Sequence, residues 1–142
     1  MQFHKDKIKE KILIIDFGSQ VTKLIARRIR ELRVYCEVIN LKQFEKINNF
    51  NDIKGIILSG GPSTVTQKIY PSISKDIFEK KIPILGICYG LQLIAKVFGG
   101  KIKKSEKKRE FGEATLIKKS NSILFKNFFI NKKASVWMSH QD

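Results

Sequence analysis

Cysteine is scarce in this 142-residue chain, with only Cys36 and Cys88. Two thiols cannot build a disulfide framework. Such sparse use fits a reducing compartment, the cytoplasm. Long apolar runs are also missing. The most apolar stretch, Ile82 to Ala95, is interrupted by Pro83, Gly86, Gly90 and Gln92, so it is too short and broken to span a bilayer. At the basic start the apolar run is only Ile12 to Ile15, too short for a signal peptide. There is no internal repeat and no Pro/Ser-rich linker. Hydrophobic residues at 42% and charged residues at 29% exclude a disordered tail or a collagen-like fibre. What remains is one domain, or at most a tight two, able to bury a core without disulfides or metals.

Acidic residues are few: 13 against 28 basic, a net charge of +15. That excess suggests nucleic acid or an acidic surface, but arginine is scarce too. Five residues (Arg27, Arg28, Arg30, Arg33 and Arg109) are arginine and the other 23 basic residues are lysine. Nucleic-acid sites favour arginine for bidentate contacts, and here the charge is scattered. The chain also carries 22 isoleucines. Lysine with isoleucine is what AT-rich codons supply. The charge is therefore read as solvated surface and base-composition drift, with neither nucleic acid nor membrane as a partner.

The apolar pattern alternates between short runs and helical spacing. Lys11 to Asp16 reads as a buried strand. Gln20 to Leu32 places apolar residues at 21, 24, 25, 29 and 32, a helical stripe with Ser19 as N-cap. Tyr35 to Ile39 and Gly55 to Leu58 read as strands. Tyr70 to Lys80 reads as a helix with Pro71 near its first turn. Ile82 to Ile87 is a fourth strand, and Tyr89 to Val97 a helix closed by Gly99-Gly100. Alternating strands and helices predict α/β architecture, a mostly parallel open sheet with helices on both faces. After Gly100 the texture changes. Lys101 to Ile102, Gly112 to Ile117 and Ala134 to Met138 read as strands of an antiparallel extension. The last of them, followed by Ser139-His140-Gln141-Asp142, runs straight to the terminus, which reads as truncation.

Gly86-Ile87-Cys88-Tyr89-Gly90 carries the chemistry. It lies between a buried strand and a helix and is the cysteine version of the G-x-S-x-G nucleophile elbow. A sharp strand-to-helix turn crowds the backbone, so the positions two before and two after the nucleophile favour residues without a Cβ. The turn lifts the side chain out at the carboxyl edge of the sheet. The helix sets the partial positive charge of its N-terminus beside the sulfur. Cys36, inside a strand, reads as core packing. Ser59-Gly60-Gly61-Pro62 follows the preceding parallel strand and reaches the same edge. The amide of Gly61, with that of Tyr89, could hold a tetrahedral oxyanion. No Gly-Lys-Ser/Thr follows, so it is not a Walker loop, and no G-x-G-x-x-G follows the first strand. Histidine, the usual base for a cysteine nucleophile, is nearly absent: His4 lies in the basic N-terminus and His140 close to Asp142.

Gly86-Ile87-Cys88-Tyr89-Gly90-Leu91-Gln92 resembles the nucleophile motif of the class I (triad-type) glutamine amidotransferases. Ile14 to Gln20 (Ile-Ile-Asp-Phe-Gly-Ser-Gln), Leu24 to Glu31, Val34 to Glu37, Gly55 to Ser63, Arg109 to Gly112 and Val136 to His140 place the likeness nearest the branch serving GMP synthesis. The resemblance implies a flavodoxin-like fold, incomplete at the C-terminus. It also implies that Cys88 attacks the carboxamide of glutamine, forms a thioester and releases ammonia. The ammonia would pass to a synthetase domain or subunit that aminates XMP to GMP with ATP and Mg. This chain itself would hold no cofactor. Gly61 and Tyr89 match the oxyanion positions; Gln92, Ser139, His140, Gln141 and Asp142 match the glutamine pocket.

The departures are as specific as the matches. The family's triad histidine and glutamate lie in a His-Pro-Glu motif that this sequence does not contain, and His140 matches a pocket residue instead. Glu113 stands where an aromatic is more usual and Gln141 where glycine is common. The resemblance thus implies a basic extension over 1–10 and a partial amidotransferase domain over 11–142. The ATP-pyrophosphatase domain is absent, as is the dimerisation region that makes the full-length family homodimeric. The chain alone is expected to release little ammonia; the alternative is a non-catalytic remnant or regulatory binding module.

Overall fold

The computed structural model describes residues 10–102 and 110–140. It divides into two compact units, Met1–Ile102 and Lys103–Asp142. In the first, four short apolar runs form parallel strands: β1 (Lys11–Asp16), β2 (Cys36–Asn40), β3 (Ile53–Leu58) and β4 (Ile84–Gly86). Isoleucine dominates them because a β-branched side chain packs well on a pleated surface and loses little χ1 freedom there. Their order is β2-β1-β3-β4. The chain thus leaves β1 to one side for β2 and crosses back to β3 on the other. The carboxyl ends of β1 and β3 bound the switch point where such sheets place their ligands.

Both sheet faces are covered. Period-two alternation sends Ile14 to one side, where it packs with Ala26 and Cys36 under helix α1 (Val21–Glu31). Leu13, Ile15, Ile56 and Leu58 pack on the other with Phe44, Ile77, Tyr89 and Leu93. Those last four come from helices α2 (Leu41–Phe44), α3 (Asp76–Glu79) and α4 (Tyr89–Val97). The α/β reading of the sequence is therefore the observed one. Four of the expected elements agree to within one residue at each end: β1, α1, β2 and α4. β3 starts two residues earlier than expected, and β4 covers the middle of its expected run.

Two expectations fail in this unit. The helix expected over Tyr70 to Lys80 is only Asp76–Glu79. The residue before a proline disfavours the α region, and the Pro71 carbonyl accepts the Tyr89 hydroxyl instead of a helical amide. Ile73 and Ile77 still reach the core, which explains the helical look of the sequence. Lys101 to Ile102 is not a strand, although Ile102 packs on the core of this unit. The sequence pattern also gave no sign of α2, which a reciprocal cap starts: Asn40 Oδ1 accepts from Gln43 N, and Gln43 Oε1 from Asn40 N, both at 2.9 Å.

The second unit is an antiparallel pair, β5 (Glu110–Ile117) and β6 (Lys133–His140), with a 3-10 turn at Ile123–Phe125 between them. The antiparallel extension is as expected, with both strands longer than their apolar runs.

Candidate functional site

The turn after β4 is where the sequence placed its nucleophile. Cys88 adopts φ 51° and ψ −115°, a left-handed conformation that a non-glycine residue holds only when its surroundings impose it. Those surroundings are visible. Ile87 N donates to Leu58 O at 2.9 Å and Gly90 N to Ser59 O at 3.1 Å, tying both sides of the turn to the end of β3. A Cβ on Gly86 would lie 2.6 Å from the Gly90 carbonyl oxygen, and one on Gly90 would run into the Leu58 carbonyl. The glycines flanking the elbow are thus required by packing. The Cys88 carbonyl accepts from Leu91 N and Gln92 N at 3.0 and 3.2 Å, starting α4, while its thiol is exposed. Cys36, in contrast, is buried, with its sulfur 3.6 Å from Ala26 O.

Two loops converge on this turn. The loop after β3 runs beside it: a Cβ on Gly60 would meet Cys88 Cβ at 3.4 Å and Ser19 Oγ at 3.1 Å. Gly61 is pressed against the loop after β1, since a Cβ there would lie 2.6 Å from Phe17 O. The loop after β1 is organised by Asp16. Its Oδ1 accepts from Gly18 N at 2.9 Å, Ser19 N at 3.1 Å and Thr22 Oγ1 at 2.8 Å. Burial works to raise the Asp16 pKa. The hydrogen bonds from Thr22, Gly18 and Ser19, with the nearby Lys23 charge, outweigh it and hold the carboxyl below its ordinary value. Thr22 Oγ1 also reaches Ser59 Oγ at 2.9 Å, and Ser59 Oγ donates to Gly60 O at 3.1 Å. Both hydroxyls are buried.

Tyr89 opens α4 and its amide therefore has no intrahelical acceptor. Its ring is buried edge-on against Phe17, centroids 5.1 Å apart, and its hydroxyl donates to Pro71 O. Burial, then proximity to Tyr70, pushes the phenol pKa up to about 12. Gln92 lies one helical turn after Cys88 and is half-buried.

The structure therefore brings Cys88, Tyr89, Gln92 and Gly61 together at the carboxyl edge of the parallel sheet. Ser139 and His140 end β6 in the other unit, with Ser139 opposite Phe111 and His140 opposite Glu110. Gln141 and Asp142 lie outside the described residues, as does His4. Glu113, the departure noted in the sequence, accepts from Ser135 Oγ at 2.7 Å. Sequence reasoning missed that Asp16, Ser19 and Thr22 support the Ser59-Gly60-Gly61 loop beside the elbow. Asp16 and Ser19 lie in the Asp-Phe-Gly-Ser-Gln stretch, but nothing in the spacing shows that the loops after β1 and β3 touch. Among the described residues no group of three or more His, Cys, Asp or Glu is placed to share a metal ion, and no helix is long and apolar enough to cross a membrane.

The chain is similar to known proteins in sequence and fold. The family model for class-I glutamine amidotransferases matches residues 13–142. The GMP synthase (glutamine-hydrolyzing) of Treponema denticola is 51% identical over 137 residues, covering 96% of this chain and 25% of that protein. That of Spiroplasma kunkelii is 50% identical, covering 96% and 26%. The chain thus spans about a quarter of the length of these curated relatives. Among solved structures, one described as a GMP synthase subunit from Thermoplasma acidophilum superposes with a TM-score of 0.71 at 28% identity, over 94% of this chain and 66% of that one. A glutamine amidotransferase from Thermotoga maritima gives 0.70 at 23% identity, over 93% and 60%, a likeness of fold.

Proposed function

The chain belongs to the class-I glutamine amidotransferase family, and we propose that it is the part of a GMP synthase that liberates ammonia from glutamine. The observation that carries this is the presentation of Cys88: an exposed thiol at φ 51°, clamped between two glycines that leave no room for a Cβ, beside a glycine loop at the carboxyl edge of the sheet. The Cys88 sulfur attacks the glutamine carboxamide carbon. The Gly61 and Tyr89 amides hold the oxyanion, at about 3 kcal/mol of transition-state stabilisation for each well-placed donor. Collapse of the tetrahedral adduct breaks the C–N bond and leaves a thioester, which water cleaves to glutamate. Gln92, one helical turn after Cys88, is assigned to holding glutamine.

The departing ammonia and the attacking water each need a proton partner. The sequence contains no His-Pro-Glu, so those roles are assigned to a companion segment or subunit. The same companion would carry the synthetase function that consumes the ammonia, with ATP and Mg, to convert XMP to GMP in the cytoplasm. No step on this chain passes through either.

Ammonia release from glutamine tests the reading. It is measured for the full chain alone and with the product of the adjoining reading frame, using Cys88→Ala as control. Release that requires both the companion and Cys88 is expected. Release that persists in the Cys88→Ala protein would overturn the assignment. No release under either condition would favour the non-catalytic remnant or regulatory module, which the missing His-Pro-Glu also suits.

A further inference from the structure

We propose that Ser59 and Thr22 are positioning residues that aim the Gly61 amide at the substrate oxygen on Cys88. This rests on the proposed function and names the device behind its oxyanion hole. Ser59 and Thr22 are among the least exposed polar residues described, at 0% and 1%, in a core otherwise mostly hydrophobic. Burying a hydroxyl costs free energy unless it is hydrogen-bonded, and a fully bonded buried network fixes the groups it joins.

What they define is one peptide plane. Ser59 Oγ donates to the Gly60 carbonyl at 3.1 Å. That carbonyl belongs to the same planar trans unit as the Gly61 N–H, and in such a unit the C=O and N–H point in opposite directions. Holding the Gly60 oxygen therefore sets the direction of the Gly61 donor. Glycine on both sides of this peptide gives it no side-chain restraint of its own. Ser59 Oγ is held in turn by Thr22 Oγ1 at 2.9 Å, and Thr22 by Asp16 Oδ1 at 2.8 Å. Thr22 has a single proton, shared between those two acceptors. The chain Asp16, Thr22, Ser59, Gly60 O links a carboxylate anchored at the end of β1 to the peptide beside the nucleophile.

The test needs no complete catalytic triad. The full chain is treated with a chloromethyl ketone analogue of glutamine, in which CH2Cl replaces the amide NH2. Attack forms a C–S bond, expels chloride and releases the thiol proton to water, and the ketone oxygen takes the oxyanion position. Methyl methanethiosulfonate serves as a carbonyl-free comparison reagent, which transfers its methylthio group to the sulfur and expels methanesulfinate. Wild-type chain is expected to react with the ketone at Cys88, with protection by glutamine. Ser59→Ala and Thr22→Val are expected to slow the ketone reaction at least tenfold and to change the methanethiosulfonate rate less than twofold. Thr22→Ser, which keeps the hydroxyl, is expected to retain the wild-type ketone rate. The Thr22 pair carries the test if Ser59→Ala does not fold.

Wild-type chain that ignores the ketone, or reacts without protection by glutamine, would overturn the glutaminase reading itself. Wild-type reaction with equal ketone rates in all variants would overturn the positioning role alone. So would a parallel loss with both reagents, which marks a merely structural contribution.

Discussion

Gly86 and Gly90 touch across the turn that carries Cys88: a Cβ on the first would lie 2.6 Å from the carbonyl oxygen of the second. The contact closes the elbow, and a Cβ on Gly90 would strike the Leu58 carbonyl behind it. Adding a methyl to a packed backbone forces a shift costing about 1–3 kcal/mol. Gly86→Ala and Gly90→Ala are each expected to destabilise the chain by about 3 kcal/mol, the upper end of that range. The midpoint of urea unfolding measures it, and wild-type stability in either variant would contradict the packing.

Cys88 itself holds a strained backbone at φ 51°. Such strain costs on the order of 1–3 kcal/mol, part of which glycine recovers against its larger unfolded-state entropy. Cys88→Gly is expected to be about 1 kcal/mol more stable than wild type while losing all thiol reactivity. Cys88→Ala, which keeps the Cβ, should lose reactivity with no such gain. A thermal melt on the three proteins distinguishes strain from an ordinary turn.

Asp16 carries a pH signature. Its carboxyl is held below the usual carboxylate value, because three hydrogen bonds and Lys23 outweigh the burial that would raise it. A lowered folded-state pKa means that Asp16 stabilises the chain above the unfolded value and that this contribution disappears as pH falls through the folded value. Asp16→Asn is expected to lose about 2 kcal/mol at pH 7, the worth of a hydrogen bond to a charged group. It should also flatten the fall in stability below about pH 4. Unfolding free energy from pH 7 to pH 2 is the measurement; parallel curves for the two proteins would count against the network.

Tyr89 gives the opposite limb. Burial, with Tyr70 nearby, pushes its phenol to about 12, so the folded chain keeps the proton that the unfolded chain gives up near pH 10. The contribution is fully present below pH 10 and is lost as pH rises through about 12. Tyr89→Phe is expected to remove that component of alkaline unfolding. It should also cost about 1–2 kcal/mol at neutral pH, since the Pro71 carbonyl loses its partner. Stability measured from pH 8 to 12 checks both parts.

The sequence by itself determined the alternation of strands and helices, the α/β class and the elbow around Cys88. Those features are written in local patterns: isoleucine runs, a helical stripe over Val21–Glu31, and two glycines around one cysteine. Tyr70 to Lys80 shows where local pattern misleads. Ile73 and Ile77 recur at helical spacing and are both buried, yet the Tyr89 hydroxyl takes the Pro71 carbonyl and most of the segment is irregular. Only the tertiary structure decided that the loops after β1 and β3 meet. Strand order places β1 beside β3, and so lets Thr22 reach Ser59, 37 residues further along the chain, at 2.9 Å. Spacing along a chain encodes periodicity within an element. Which carbonyl faces which hydroxyl across the switch point depends on how strands pair, and that is settled by the burial of both sheet faces at once.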